Sequence, residues 1–411
     1  MSKDARGSHR DTPHPQPVTK IELNERYAQI RFAVVLLLLA IGVTALVYGA
    51  VSALGTDSGW REIEVDSSAG AIGAEEFVFQ YNLGASGAGA SAEYRAVKAL
   101  YTEAQIRCGQ LYDTGQSAEG VVNLYEINRH PNEELTVDPL LYQTLARMTE
   151  DGGRLLYLGP IYEEYTNLFL CAEDYETVDY DPRQSDAVFE YVAKVLSFAN
   201  DAEHIRLCLL GDDRVCLSVS REYLDFAEAM GIVSFLDLGW MKNAFVADYI
   251  AETLTQAGYT RGTISSYDGF VRTLDDSGEE YSFNLFHREE SKVRMIGKMV
   301  YREPRSIVYL RDYPMNSLDV LHYRTFENGE VRTVYIDPED GFDKTAVSEL
   351  VVYSSKTGCA DMALSVAPVY IADEFVPNRL EELRDSSEMF GIYYENGQLC
   401  SNDPNLTVSD Q

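Results

Sequence analysis

The sequence predicts an α+β fold behind a single N-terminal transmembrane helix. Three observations carry this. Helix-like and strand-like periodicities intermix without the regular βαβ beat of a doubly wound sheet. No internal repeat is visible. Residues 32–54 form a 23-residue run without a charge. The 411 residues suit two subdomains or one large domain. With 45% hydrophobic and 24% charged residues, the composition is that of a globular protein.

Residues 1–31 read as a cytoplasmic disordered tail, polar and Pro-containing at its start. Phe32 to Leu54 is long enough to cross a hydrocarbon core of about 30 Å, and it is apolar on every face, unlike a buried amphipathic helix. Small residues near Ala50 and Ala53 offer a signal-peptidase alternative. The 31 residues before the run and its length favour an uncleaved anchor. Lys3, Arg6, Arg10, Lys20, Arg26 and Arg31 precede the run. Residues 55–80 hold Arg61 against Asp57, Glu62, Glu64, Asp66, Glu75 and Glu76. The basic flank stays inside, so the C-terminal part is expected to be extracytoplasmic.

Residues 55–75 read as a linker, 76–375 as the folded domain and 376–411 as a C-terminal tail. Glu76–Tyr81 is strand-like. Residues 84–91 (GASGAGAS) form a small-residue loop, and 92–111 repeats apolar residues at helical spacing. Further helices are expected at 140–148, 185–199 and 243–256. Strands are expected at 205–210, 214–219, 262–266, 270–274, 281–286, 306–310, 331–336 and 348–354. Gly211-Asp212-Asp213 reads as a hairpin loop that sets Cys208 opposite Cys216. These two form a disulfide in an oxidising compartment or remain two reduced core thiols.

The net charge of −32, from 66 acids and 34 bases, excludes a nucleic-acid binder, which needs basic surface. No H-E-x-x-H or C-x-x-C zinc pattern occurs. Three segments carry site-like chemistry. Asp237-Leu238-Gly239-Trp240-Met241-Lys242 runs from a strand end through a glycine turn to a helix start, a pattern suited to a diphosphate or to an ordinary turn. Ala360-Asp361-Met362-Ala363-Leu364-Ser365 places a carboxylate and a hydroxyl on one helical face. Such a pair suits Mg²⁺, or an acid favoured by the helix dipole. Ile336-Asp337-Pro338-Glu339-Asp340-Gly341 has turn chemistry.

In this order the segments resemble the FAD:protein FMN transferase (ApbE-like) family over roughly residues 76–372. LYEIN, ending at Asn128, resembles a family loop. GGRLLYLGPIYEEYTNLF resembles the segment around its Gly-Pro-Leu. FLDLGWMKNAFVAD resembles D-L-G-G-x-x-K-G-x-x-x-D. YSFNLF resembles a W-x-I-G-I strand, VYIDPEDG resembles H-I-x-D-P-x-T-G, and ADMALS resembles the A-D-x-x-x-T metal motif. The resemblance implies an ApbE-like mixed fold that uses FAD and Mg²⁺ to attach FMN to a Thr or Ser of a partner flavoprotein in a membrane redox complex. It implies flavin contacts at Lys242, Asp237, Gly239, Asn128, Asp268 and Gly269, and metal ligands at Asp361 and Ser365. The chain departs from the pattern at Trp240, at Asn243 and in Ser265–Gly269. The family's histidine is replaced near Val334 and Tyr335, which leaves its base unassigned; His322 is a candidate substitute. Two readings follow: an anchored FMN transferase, or a non-catalytic flavin-binding or assembly module of an extracytoplasmic redox system. An anchored sensor for an unrelated small ligand is a variant of the second.

Overall fold

A computed structural model describes residues 58–66, 70–71, 73–84, 89–151, 153–289 and 292–409. The expected tail and anchor lie outside them. Among the described residues no helix is long and apolar enough to cross a membrane.

The chain opens with β1 (Gly59–Glu62), β2 (Phe77–Leu83) and helix α1 (Ala90–Leu111). It continues through α2 (Leu124–Arg129), β3 (Glu134–Thr136), α3 (Pro139–Asp151), α4 (Gly159–Leu170) and α5 (Asp186–Ala199). The hairpin β4 (Ile205–Gly211) and β5 (Arg214–Val219) leads into α6 (Arg221–Met230) and α7 (Lys242–Gln256). Next come β6 (Gly262–Ser266), β7 (Phe270–Thr273), β8 (Tyr281–Glu289), β9 (Lys292–Tyr301) and β10 (Arg305–Arg311). β11 (Tyr323–Thr325), β12 (Val331–Thr333) and β13 (Glu349–Ser354) precede α8 (Cys359–Tyr370) and α9 (Pro377–Ser387). The chain closes with β14 (Phe390–Glu395), β15 (Gln398–Ser401) and β16 (Val408–Ser409).

An eight-stranded antiparallel sheet, ordered β1-β2-β6-β7-β10-β13-β14-β15, forms the middle layer. Alternation decides which side each residue faces. Phe77, Phe79, Tyr81 and Leu83 of β2 are all buried. α7 lies against β6, β7, α1 and α8 on one face. A smaller sheet, β16-β9-β8, contributes Leu285, Met299 and Tyr301 to a second core with Ile307, Tyr309, Val351 and Tyr353. β13 is therefore buried on both faces, and all six of its residues are buried. Each fully buried apolar side chain of this kind contributes about 1.5–3 kcal/mol.

Of residues 376–411, expected as a tail, the described ones (376–409) instead build α9 and extend the main sheet by two strands. The expected strand 331–336 stops at Thr333. Lys344 Nζ draws in Asp337 and Asp340 at 2.8 Å and Asp373 at 3.0 Å, and Gly341 N–H donates to the Asp337 carbonyl at 2.8 Å, so the segment closes into a turn.

The β4–β5 register sets Cys208 opposite Cys216 as expected, and both are free thiols here. Directly opposed residues have Cα atoms about 4.5–5.5 Å apart, within reach of a disulfide. Oxidised glutathione is expected to link them, giving a joined peptide in non-reducing mass spectrometry. Complete alkylation of both thiols after that treatment would refute the expectation.

Candidate functional site

A cavity of 470 Å³ opens beside the start of α7, within the range of about 300–1,000 Å³ usual for small-molecule sites. Tyr112 after α1, three α4 residues (Tyr162, Tyr165 and Phe169), Trp240 and Tyr267 give it aromatic walls. Asp237, Lys242, Asp268 and His322, singled out in the sequence, all meet there.

The helix start is closed on itself. Gly239–Met241 forms a 3₁₀ turn ahead of α7. Asp237 Oδ1 accepts the Gly239 N–H at 2.7 Å, Met241 N–H donates to the Leu238 carbonyl at 3.2 Å, and Lys242 N–H donates to the Gly239 carbonyl. Three backbone donors that a phosphate could use, those of Gly239, Met241 and Lys242, are thus taken. Asp237 already supplies the negative charge that a helix start favours. Burial pushes its carboxyl above the ordinary range. Gly239 has φ +55°, and a Cβ there would lie 2.6 Å from the Tyr162 ring. Glycine is what allows Tyr162 to close over the turn.

Lys242 Nζ lies 3.3 Å from Glu76 Oε1. Asn243 Nδ2 donates to Glu76 Oε2 at 2.5 Å and to Asp268 Oδ2 at 3.0 Å. Three buried side-chain atoms of cavity-lining residues have no partner: the Trp240 Nε1 donor, Asp268 Oδ1 and His322 Nδ1. Burial raises the Asp268 carboxyl, while His322 pulls it back down. Five carboxylates line the cavity, those of Glu75, Glu76, Asp113, Asp237 and Asp268. Lys242 is the one lysine, and no arginine lines it among the described residues. Two like charges about 5 Å apart repel by roughly 3 kcal/mol at an effective dielectric of 20, so this lining disfavours a phosphate.

Gly239 and Val334 line the cavity as well, and the remaining expected residues lie elsewhere. Asn128 is buried and clamps the segment before Asp237. Its Oδ1 accepts from Phe235 and Leu236 N–H at 3.1 and 2.8 Å, and its Nδ2 donates to the Leu236 carbonyl at 2.9 Å. Asn128 therefore holds the turn in place and does not line the cavity. Gly269 shapes the β6–β7 turn at φ +111° and lies outside the cavity lining as well. Asp361 and Ser365 share a face of α8, but neither lines the cavity. Ser365 Oγ donates to the Asp361 carbonyl at 2.8 Å, and Arg147 Nε lies 3.8 Å from Asp361 Oδ1. Tyr335 is buried, edge-on to Trp240 at 5.2 Å. Burial raises its phenol, so it is no base at neutral pH.

No protein-family model and no curated protein matches the chain. Solved structures do. An ApbE protein from Thermotoga maritima superposes with a TM-score of 0.56 at 14% identity, covering 83% of this chain and 96% of that one. The flavin transferase ApbE from Vibrio cholerae superposes at 0.50 and 12% identity, covering 79% and 92%.

This chain has the ApbE fold.

Within the ApbE fold, the D-L-G-G-x-x-K motif counted from Asp237 puts its lysine position on Asn243, one residue after Lys242. Asn243 is the more buried of the two. Glu76, which engages both, carries no motif signal in the sequence. Asp248, the motif's closing acid, was legible but unassigned. It accepts the Cys359 and Ala360 N–H groups, both at 2.9 Å, and pairs with Arg272. It thereby caps α8 from α7.

Proposed function

We propose that this chain is a membrane-anchored, outward-facing protein of ApbE fold that binds flavin without transferring FMN, as a binding or assembly module of an extracytoplasmic redox system. The observation that carries the reading is a helix start whose Gly239, Met241 and Lys242 N–H groups are already bonded, set among five carboxylates, which makes a poor cradle for the diphosphate of FAD. The aromatic walls suit a flat ring. The uncharged run at 32–54 and its basic flank support the anchor and its direction. Asp361 and Ser365 do not fit a resident magnesium ion. Arg147 stands beside the carboxylate, and among the described residues no group of three His, Cys, Asp or Glu side chains gathers to hold a metal.

His322 favours a second reading, the transferase. Its unpartnered Nδ1 belongs to a cavity-lining ring near Asp268, where a general base would take the proton of an accepting hydroxyl. Incubation with FAD, Mg²⁺ and a Thr-containing acceptor flavoprotein separates the two. The expected result is no fluorescent acceptor band above a control without the protein. Labelling that is lost in His322→Ala would establish the transferase instead. Flavin affinity is expected to be equal in EDTA and in Mg²⁺; tightening by Mg²⁺ that disappears in Asp361→Ala would restore the metal role. For topology, reporters fused at residue 10 and residue 411 should be active inside and outside respectively. A C-terminal reporter active only in the cytoplasm would overturn the orientation.

A further inference from the structure

The polar groups of the cavity are unequal in kind. Carboxylate acceptors dominate, and the strongest donor is spoken for, because Lys242 faces Glu76 at 3.3 Å; the Trp240 indole N–H is a neutral buried donor without a partner. Asn243 is likewise committed, to Glu76 and Asp268. Asp268 Oδ1 is buried and still has no donor. A buried acceptor without a donor is unfavourable, and a ligand that supplies one relieves it. A ligand that brings more acceptors or negative charge adds to the imbalance.

We infer that this cavity selects a flat ligand whose polar edge presents hydroxyl donors and carries no phosphate, with Asp268 and Glu76 as the residues that read the donors and reject the anion. In chemical class this is an aromatic ring system bearing a polyol, of which riboflavin is the available probe. The inference rests on the flavin-binding reading above and specifies which flavin. Aromatic walls from Tyr162 and Trp240 receive the ring, and the carboxylate side receives the sugar-alcohol hydroxyls.

The test is a fluorescence titration of the purified full chain with riboflavin, FMN and FAD, in EDTA and again in Mg²⁺. The three ligands share one ring and ribityl chain; FMN adds a phosphate, and FAD adds a diphosphate with an adenosine, so riboflavin against FMN isolates the phosphate. Riboflavin is expected to bind at least tenfold tighter than FMN or FAD in both buffers. Glu76→Gln releases Lys242 and removes one carboxylate, so it should narrow that preference at least threefold. Asp268→Asn should do the same while weakening riboflavin. FMN or FAD binding as tightly as riboflavin to the wild-type chain would overturn the inference and leave the flavin-binding reading standing. Failure of all three to bind would overturn both. The wild-type series decides the question even if a variant does not fold.

Discussion

Asp248→Ala is expected to destabilise the folded domain by roughly 3–5 kcal/mol, the loss typical when one partner of a buried pair is removed and the other is left charged. Asp248 is buried on α7 and engages three groups. Both its oxygens accept N–H groups from the first turn of α8, at 2.9 Å each, and it pairs with Arg272 of β7. The carboxylate therefore ties helix to helix and helix to sheet. Gly358 permits this, because a Cβ there would lie 2.4 Å from Asp248 Oδ2. Urea unfolding followed by circular dichroism measures the loss. Asp248→Asn keeps an acceptor and should lose less. The double variant Asp248→Ala with Arg272→Ala should recover part of the deficit, since no unpaired charge remains. A single variant as stable as wild type would show that the cap and the pair contribute nothing net.

Gly269→Ala is the second large effect, expected at roughly 3–5 kcal/mol. Its φ of +111° is strained for any residue with a side chain, which costs about 1–3 kcal/mol. An added Cβ would also lie 2.3 Å from the Tyr309 carbonyl oxygen, and the Tyr309 N–H donates to Gly269 at 2.9 Å. Strands β7 and β10 would have to part locally, and overpacking of that kind costs a further 1–3 kcal/mol or so. Asp268 precedes this glycine, so the variant should also loosen the Asp268–Asn243 hydrogen bond and weaken ligand binding. Unfolding and titration of the same sample test both statements. An alanine variant with unchanged stability would refute the steric account.

The sequence by itself determined much of the scaffold. Periodicity located α1, α5 and α7 within a residue or two, because each repeats apolar side chains toward one core. The Gly211-Asp212-Asp213 turn fixed the β4–β5 register and so the Cys208–Cys216 opposition. Motif order pointed to the fold that superposition shows. Asp237, Lys242, Asp268 and His322 were all singled out from sequence, and all line one cavity.

Tertiary structure decided the rest. β9, α9, β14 and β15 have weak local patterns; their pairing comes from strands distant in sequence, such as β14 on β13. The roles of the candidate residues were also undecidable along the chain. Asn128 turned out to clamp residues 235–236, which lie more than a hundred positions away. The Asp361–Ser365 spacing gave a shared helical face, but only packing placed Arg147 beside it and left both outside the cavity. The sign of the cavity's field was equally hidden. Lys242 suggests an anion site when read alone. Glu76, 166 residues away, neutralises it at 3.3 Å. Electrostatics falls off with distance in space, and the sequence orders residues only along the chain.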